Sequence, residues 1–142
     1  MVDFSVKIVS SWPVDQIKQL YEAGGWWKPH YDATQLPKLV KGSFAFAVAV
    51  HPHTKQAIGM GRVISDGVSD GYIQDVVVLP LYRDCGVGSK IIKKLVQFCR
   101  MHHISWIGLI AEPGYESFYT PLGFHVMKQY IPMLCSDEDS LL

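Results

Sequence analysis

Cysteine is scarce in this sequence: three among 142 residues. That odd number, with no paired spacing, argues against a disulfide framework and for a reducing compartment. Charge of either sign is not in excess. Lysine plus arginine and aspartate plus glutamate number 13 each, for a net charge of zero with histidine neutral. The basic surface that displaces counterions from nucleic acid is therefore missing. The start, "MVDFSVKIVSSW", has no long apolar run behind a basic segment, so it does not read as a signal peptide. The longest apolar stretch, "FAFAVAV" (Phe44–Val50), is far too short to cross a bilayer. Repeats, low-complexity tracts and linker-like segments are absent too. These absences lead us to expect a soluble cytoplasmic protein with no membrane or nucleic-acid partner. One domain is expected over 1–142, with a loose tail from about 135 to 142.

What is present suits a packed core, since 49% of the residues are apolar. "FSVKIVS" (Phe4–Ser10) alternates as a strand. Pro13 and Asp15 suit a first helical turn, Val14, Ile17, Leu20 and Tyr21 recur at helical spacing, and Gly24-Gly25 ends the helix. "WWKPHYD" follows as a loop, with Asp32 placed to cap a short, Pro37-interrupted helix reaching about Lys41. Three strands are predicted next, Phe44–Val50, Gln56–Ser65 and Gly71–Leu79, and the short turns between them imply antiparallel neighbours. From Gly86 to about His102 the pattern is helical. Ile91, Ile92, Leu95, Val96 and Cys99 lie on one face, and Lys90, Lys93, Lys94, Gln97 and Arg100 on the other. "ISWIGLIA" (Ile104–Ala111) reads as a buried strand parallel to Gly71–Leu79, because a helix joins them. "GYESFYTPLG" reads as a short helix closed by Gly123, and "FHVMKQYIPM" as a last strand. The expected class is α/β (α+β): a mixed, mostly antiparallel sheet flanked by helices.

One stretch carries chemistry. In "VVVLPLYRDCGVGSK" (Val76–Lys90) an apolar strand runs through an arginine and two close glycines into a lysine-rich helix. A helix N-terminus offers unpaired amides and the positive end of the macrodipole, which attract phosphate. Glycine permits close approach and positive φ, and an arginine can bond phosphate oxygens as a fork. A P-loop is excluded because only Val87 separates Gly86 from Gly88. A dinucleotide fingerprint is excluded because position 91 is Ile91. The pattern Arg/Gln-x-x-Gly-x-Gly/Ala fits Arg83, Gly86 and Gly88.

On this pattern the chain resembles the GNAT superfamily of acyl-CoA-dependent N-acetyltransferases over roughly Phe44 to Met133, and more loosely from Phe4. The strand–turn–helix "DVVVLPLYRDCGVGSKII" carries the resemblance together with "ESFYTPLGF" (Glu116–Phe124), which is similar to the family's Phe-Tyr-x-x-x-Gly-Phe element. "DG…YIQDVVVLP" is similar to a subgroup that includes plant serotonin N-acetyltransferase-like proteins. The resemblance implies a splayed parallel pair, Gly71–Leu79 against Ile104–Ile110, with acetyl-CoA as co-substrate between them. It implies cofactor contacts from Val76, Val77 and Val78, whose free backbone groups would pair with the pantetheine arm, and from Arg83, Asp84, Cys85, Gly86, Val87, Gly88 and Ser89 around the pyrophosphate. The Val76 or Val78 amide would polarise the thioester carbonyl. Asp84 and Cys85 stand where the family commonly has glycine and a base, and the family's frequent upstream asparagine is replaced by the glutamates of "AEPGYE".

The resemblance makes Tyr119 the acid that protonates the leaving thiolate; otherwise it is a packed tyrosine. Asp75 is a carboxylate inside an apolar strand, either a base for the incoming ammonium or one half of a structural ion pair. Strict alternation sets it opposite Tyr72, Gln74, Val76 and Val78, and a β-bulge would remove that conflict. Trp26, Trp27, His30 and Tyr31 lie in the loop that the family uses over its acceptor. With Tyr72 and Gln74 they suit a small or arylalkyl amine, although Trp26 and Trp27 equally suit peripheral packing. His51-Pro52-His53 and His102-His103 lack a cysteine or carboxylate at ligand spacing, so no metal is expected. The expected activity is acetyl transfer from acetyl-CoA to a primary amine by direct attack in a ternary complex, with a homodimer allowed. The alternative is an acyl-CoA-binding sensor or interaction module without turnover.

Overall fold

The computed structural model describes residues 3–136, and the chain divides into two compact units, Met1–Leu109 and Ile110–Leu142. In the first unit five strands form one sheet in sequence order: β1 (Ser5–Ile8), β2 (Ala45–Val50), β3 (Ala57–Ile64), β4 (Gly71–Val78) and β5 (Ile107–Leu109). β1 to β4 pair antiparallel, and β4 pairs β5 in parallel through the crossover helix α3 (Val87–Met101). Helices α1 (Val14–Ala23) and α2 (Leu36–Gly42) complete the unit. The mixed sheet with a single parallel pair agrees with the class expected from sequence.

The two faces of the sheet differ in side-chain size, and β2 explains why both can be buried. All six of its residues are buried, with Ala45, Ala47 and Ala49 alternating with Phe46, Val48 and Val50. Ala47 and Ala49 stand opposite Gly61 and Gly59 of β3, so these four positions share a face. A Cβ on Gly59 would come within 3.0 Å of Ile91 and 3.1 Å of Val87, which places α3 over that small-residue face. Phe46, Val48 and Val50 build the other face, with Ile17, Leu20 and Tyr21 of α1 and Leu36 and Val40 of α2. Small residues let α3 lie close to the sheet. Its predicted apolar face does meet it, with Ile91, Ile92, Leu95 and Cys99 fully buried.

The second unit holds α4 (Glu116–Tyr119), a 3-10 turn over Thr120–Leu122, and Gly123 at φ +97° closing it. The predicted last strand does not form: residues 124–136 adopt no helix or strand. Alternation marks a strand only where one face is buried and a neighbour completes its ladder. Here Val126, Tyr130, Ile131 and Met133 are all exposed. β5 is also shorter than the predicted Ile104–Ala111 segment, and Asp32 caps a 3-10 turn over Ala33–Gln35 ahead of α2. Of the tail expected from about 135, residues 137–142 lie outside those described.

Close packing under α3 predicts a cost for the smallest enlargement. A Cβ at Gly61 would sit 2.9 Å from Ile91 Cγ2 and 3.1 Å from Leu95 Cδ1. Gly61→Ala should therefore destabilise by about 1–3 kcal/mol. In urea unfolding the midpoint should fall at unchanged slope. An unaltered midpoint would mean that α3 does not bear on this face.

Candidate active site

β4 is paired unequally on its two sides. Against β3 the ladder runs from Tyr72 opposite Ile64 to Val78 opposite Gly59, with one break in register. Against β5 it runs only from Gly71 to Ile73. β5 ends at Leu109, opposite Ile73, so from Gln74 onward the β5-facing flank of β4 carries no ladder among the described residues. The single parallel pair that the resemblance implied is present, over these three residues.

The direction of the amides along that flank follows from two hydrogen bonds. Gly71 N–H donates to the Trp106 carbonyl on the β5 side at 2.8 Å, and Leu79 N–H donates to Ile58 on β3 at 2.8 Å. In a regular strand two odd-numbered residues would point the same way. They do not, so one residue between them is extra. Asp75 and Val76 together oppose Gly61, where the register shifts, and Asp75 has φ +59°. Counting back from Leu79, Val77 faces β3 while the Val76 and Val78 amides face the open flank. The bulge also places side chains. Gln74 and Asp75 both lie on the α1 face with Arg62, whereas Val76 packs under α3, its Cγ2 3.2 Å from a Cβ built on Gly61. The strict alternation expected for β4 thus breaks at the bulge: Tyr72, Gln74, Asp75 and Val77 share one face, and Val76 and Val78 the other.

Asp75 does not sit alone on that face. Its Oδ2 accepts 2.7 Å bonds from Arg62 Nε and from the Tyr21 hydroxyl, while Arg62 Nη2 donates to Gln74 Oε1 at 3.1 Å. The ion pair is mostly shielded, with side chains 17% and 16% exposed. A non-glycine residue at positive φ costs about 1–2 kcal/mol, and aspartate is among the residues that tolerate it best. Two bonds to a charged acceptor, about 1.5–3 kcal/mol each, outweigh that cost. Of the two readings of Asp75, the ion pair is present in the structure. Sequence reasoning missed Arg62 and read Tyr21 only as core. An arginine in the apolar run "GMGRVIS" was the signal for a buried counter-charge.

Beyond β4 the chain makes a 3-10 turn over Pro80–Tyr82 and enters α3 through Arg83–Gly86. Asp84 at φ +61° and Gly86 at φ +82° give the turn its shape, and among the described residues no side chain caps the α3 amides. Gly86 has open space where a Cβ would be. Asp84 and Cys85 are exposed, Gly88 and Ser89 half-buried, and the Val87 side chain is buried, so Val87 faces the turn only through its backbone. Arg83 turns back instead of outward: Nε bonds the Val78 carbonyl at 3.0 Å and Nη2 the Ala23 carbonyl at 3.4 Å. It ties the end of α1 to the end of β4.

Trp26 and Trp27 are half-buried against the α1-side core, Trp26 stacking edge-on to Tyr21 at 6.2 Å and Trp27 to Tyr31 at 5.6 Å. The aromatic loop therefore shares its face with Asp75, Gln74 and Tyr72. His30 and Tyr31 are exposed. In the second unit Tyr119 is half-buried, edge-on to Phe118 and Phe124 at 4.8 and 5.8 Å. Burial, then the charges of Glu112 and Tyr115, push its hydroxyl above the usual phenol range. It stays protonated through neutral pH, the state a proton donor needs.

The family model described as an acetyltransferase (GNAT) domain matches residues 27–131. The chain belongs to the GNAT family of acetyltransferases. It is 30% identical over 111 residues to GCN5-related N-acetyltransferase 1, chloroplastic, of Arabidopsis thaliana, covering 78% of this chain and 55% of that one. It is also 30% identical over 109 residues to an uncharacterized N-acetyltransferase, ycf52, of Pyropia yezoensis, covering 77% of this chain and 63% of the other. The chain thus spans less than two thirds of the length of these relatives. Among solved structures, a GNAT-family protein of Streptococcus pneumoniae superposes with TM-score 0.80 at 22% identity, over 96% of this chain and 99% of the other. AAC(6')-Iy in complex with the bisubstrate analogue CoA-S-monomethyl-acetylneamine does so with TM-score 0.73 at 15% identity, over 95% and 99%. These likenesses agree with the mixed sheet described above. Among the described residues no helix is long and apolar enough to cross a membrane, and the name of the Arabidopsis relative assigns that protein to the chloroplast.

Tyr21 carries a pH signature. Burial first, then the charge of Asp75 and the bond to it, push its hydroxyl above the ordinary phenol value of 10.0. A folded value above the unfolded one means that its stabilising contribution is complete below about pH 10 and drains as pH rises past it. Tyr21→Phe should lower stability at pH 7 by about 1–2 kcal/mol. It should also lose less than wild type between about pH 10 and 12 in urea unfolding. Parallel alkaline slopes in the two proteins would contradict the shift.

Proposed function

We propose that this N-acetyltransferase domain, 1–142, moves an acetyl group from acetyl-CoA to a primary amine by direct attack in a ternary complex. The observation that carries the reading is that β4 runs on past the end of β5, with the Val76 and Val78 amides on the flank left without a ladder. Residues and group fit each other: the flank offers extended backbone to a pantetheine arm, and the turn offers uncapped α3 amides and open space at Gly86 to a pyrophosphate. The neighbour solved with a CoA bisubstrate analogue supports the same donor.

In this reading the Val76 or Val78 N–H donates to the thioester oxygen as negative charge gathers there. The turn from Arg83 to Ser89 holds the donor through backbone groups, and Arg83 acts by fixing the end of β4. Val77, whose amide faces β3, serves only as the link between the two donor-facing amides. The acceptor ammonium first gives up one proton, to Asp75 or to water. A C–N bond then forms as the C–S bond breaks, and Tyr119 gives its proton to the departing sulfur. The second proton lost from nitrogen restores Tyr119 through solvent. Trp26, Trp27, Tyr31, Tyr72 and Gln74 supply an aromatic, weakly polar surface that suits a small or arylalkyl amine.

Release of CoA thiol across a panel of amines tests the reading, because a module that only binds acyl-CoA releases none. Saturating acetyl-CoA, at a hundred times its dissociation constant, should add about 2.7 kcal/mol of stability. NADH and ATP should add nothing. The exposed Cys85, in the turn itself, should alkylate more slowly when acetyl-CoA is present, while buried Cys99 stays unreactive throughout. No melting shift together with unprotected Cys85 would remove the assignment.

Tyr119→Phe keeps the ring and deletes the acid. Turnover should fall by about 10²–10⁴-fold with acetyl-CoA binding nearly unchanged. Wild-type turnover in this variant, with chemistry rate-limiting, would transfer the role to another group or to water.

A further inference from the structure

We propose that Arg62 and Tyr21 are positioning residues that hold Asp75 in its left-handed turn and so aim the Val76 and Val78 amides at the acyl carbonyl. The inference rests on the transferase reading above. Four observations converge on it. Asp75 takes φ +59° in the middle of a strand, a conformation that an unassisted strand residue leaves. The donors that hold it come from two separate elements, Tyr21 from α1 and Arg62 from β3, and both meet the same oxygen at 2.7 Å. Arg62 also bonds Gln74, so one guanidinium grips the residue before the turn and the turn residue itself. Pairing with β5 ends at Ile73, just ahead of the bulge, so the amides whose direction the bulge sets are those without a ladder on that side.

The bulge is also what reverses the amide parity between Gly71 and Leu79. If Asp75 relaxed into the extended region, the extra residue would have no place in the ladder. Val76 and Val78 would then exchange flanks with Val77. Arg62 and Tyr21 touch no substrate in this scheme; they act through the backbone of Asp75. A role of this kind predicts a loss in the chemical step with little loss in donor binding, because the transition-state oxyanion depends on amide direction more than the pantetheine arm does.

The experiment measures thiol release for wild type, Tyr21→Phe, Arg62→Lys, Asp75→Gly and Asp75→Val, with rates corrected for the folded fraction. Glycine takes positive φ freely and β-branched valine resists it, so Asp75→Gly should retain more kcat than Asp75→Val. Tyr21→Phe and Arg62→Lys should each lower kcat by about tenfold or more. KM for acetyl-CoA and the midpoint of the pH–rate profile should stay near wild type. Neither change should lower kcat further on the Asp75→Gly background, because there the carboxylate they hold is gone. Wild-type kcat in both single variants, or losses that add in full on Asp75→Gly, would overturn the proposal. Should the wild type turn over no amine, the transferase reading fails on its own. The positioning role is then decided by the amide resonances of Val76 and Val78 in Tyr21→Phe. Displacement of these two, with Ile91 and Cys99 of α3 unmoved, supports it, and no displacement overturns it.

Discussion

A single carboxylate oxygen, Oδ2 of Asp75, receives a guanidinium from β3 and a phenol from α1. It joins three parts of the first unit at the place where β4 changes direction. A half-buried charge is tolerated because a counter-charge and a second donor meet it. A positive φ is tolerated because those same bonds hold it. From this point the distribution of side chains over the two faces of β4 follows, and so does the set of amides left on its unladdered flank. The same contact ties α1 to the strand, with Trp26 leaning on Tyr21 from the loop beyond.

The opposite face shows a complementary constraint. Gly59, Gly61, Ala47 and Ala49 supply almost no side-chain height, and α3 settles onto them through Val87, Ile91 and Leu95. A low seat brings the start of α3 close to the end of β4, within reach of a short turn. Arg83 spends its donors on the Val78 and Ala23 carbonyls, locking that turn from inside. Its guanidinium therefore shapes the turn that leads into α3. One face is thus built for closeness, the other for bulk and for one polar clamp.

Legibility in the sequence followed the range of the interactions. α3 could be read almost to the residue, because a 3.6-residue apolar period and a glycine at its start are local signals. The antiparallel run of β2, β3 and β4 could be read from short turns and strand composition. The bulge could only be suspected: alternation records which side chains are apolar, and it cannot count an inserted residue whose polar side chain is held by a partner two elements away. Arg62 went unremarked for that reason, and Tyr21 was read as a regular member of a core stripe. The predicted last strand failed the other way. Residues 124–133 alternate well enough, but the described structure gives that stretch no buried face and no ladder. The side chains named for the acceptor, Trp26, Trp27, Tyr72 and Gln74, lie on the Asp75 face, a grouping that depends on the bulge and on where the α1 loop returns.

The clamp also separates what stability requires from what shape requires. Replacing a shielded ion pair with apolar groups of similar volume is often neutral or even stabilising in proteins. An apolar trio at positions 21, 62 and 75 would fill the same space beside Phe46 and Met60 at little cost. Valine or isoleucine at position 75, however, resists φ near +60°. Such a strand would straighten and restore the amide parity set at Gly71, so that Val76 and Val78 would exchange flanks with Val77. The fold would survive and the two amides would turn away. An arginine, an aspartate and a tyrosine are therefore kept at this point for the direction of two amides, a requirement that hydrophobic packing alone does not meet.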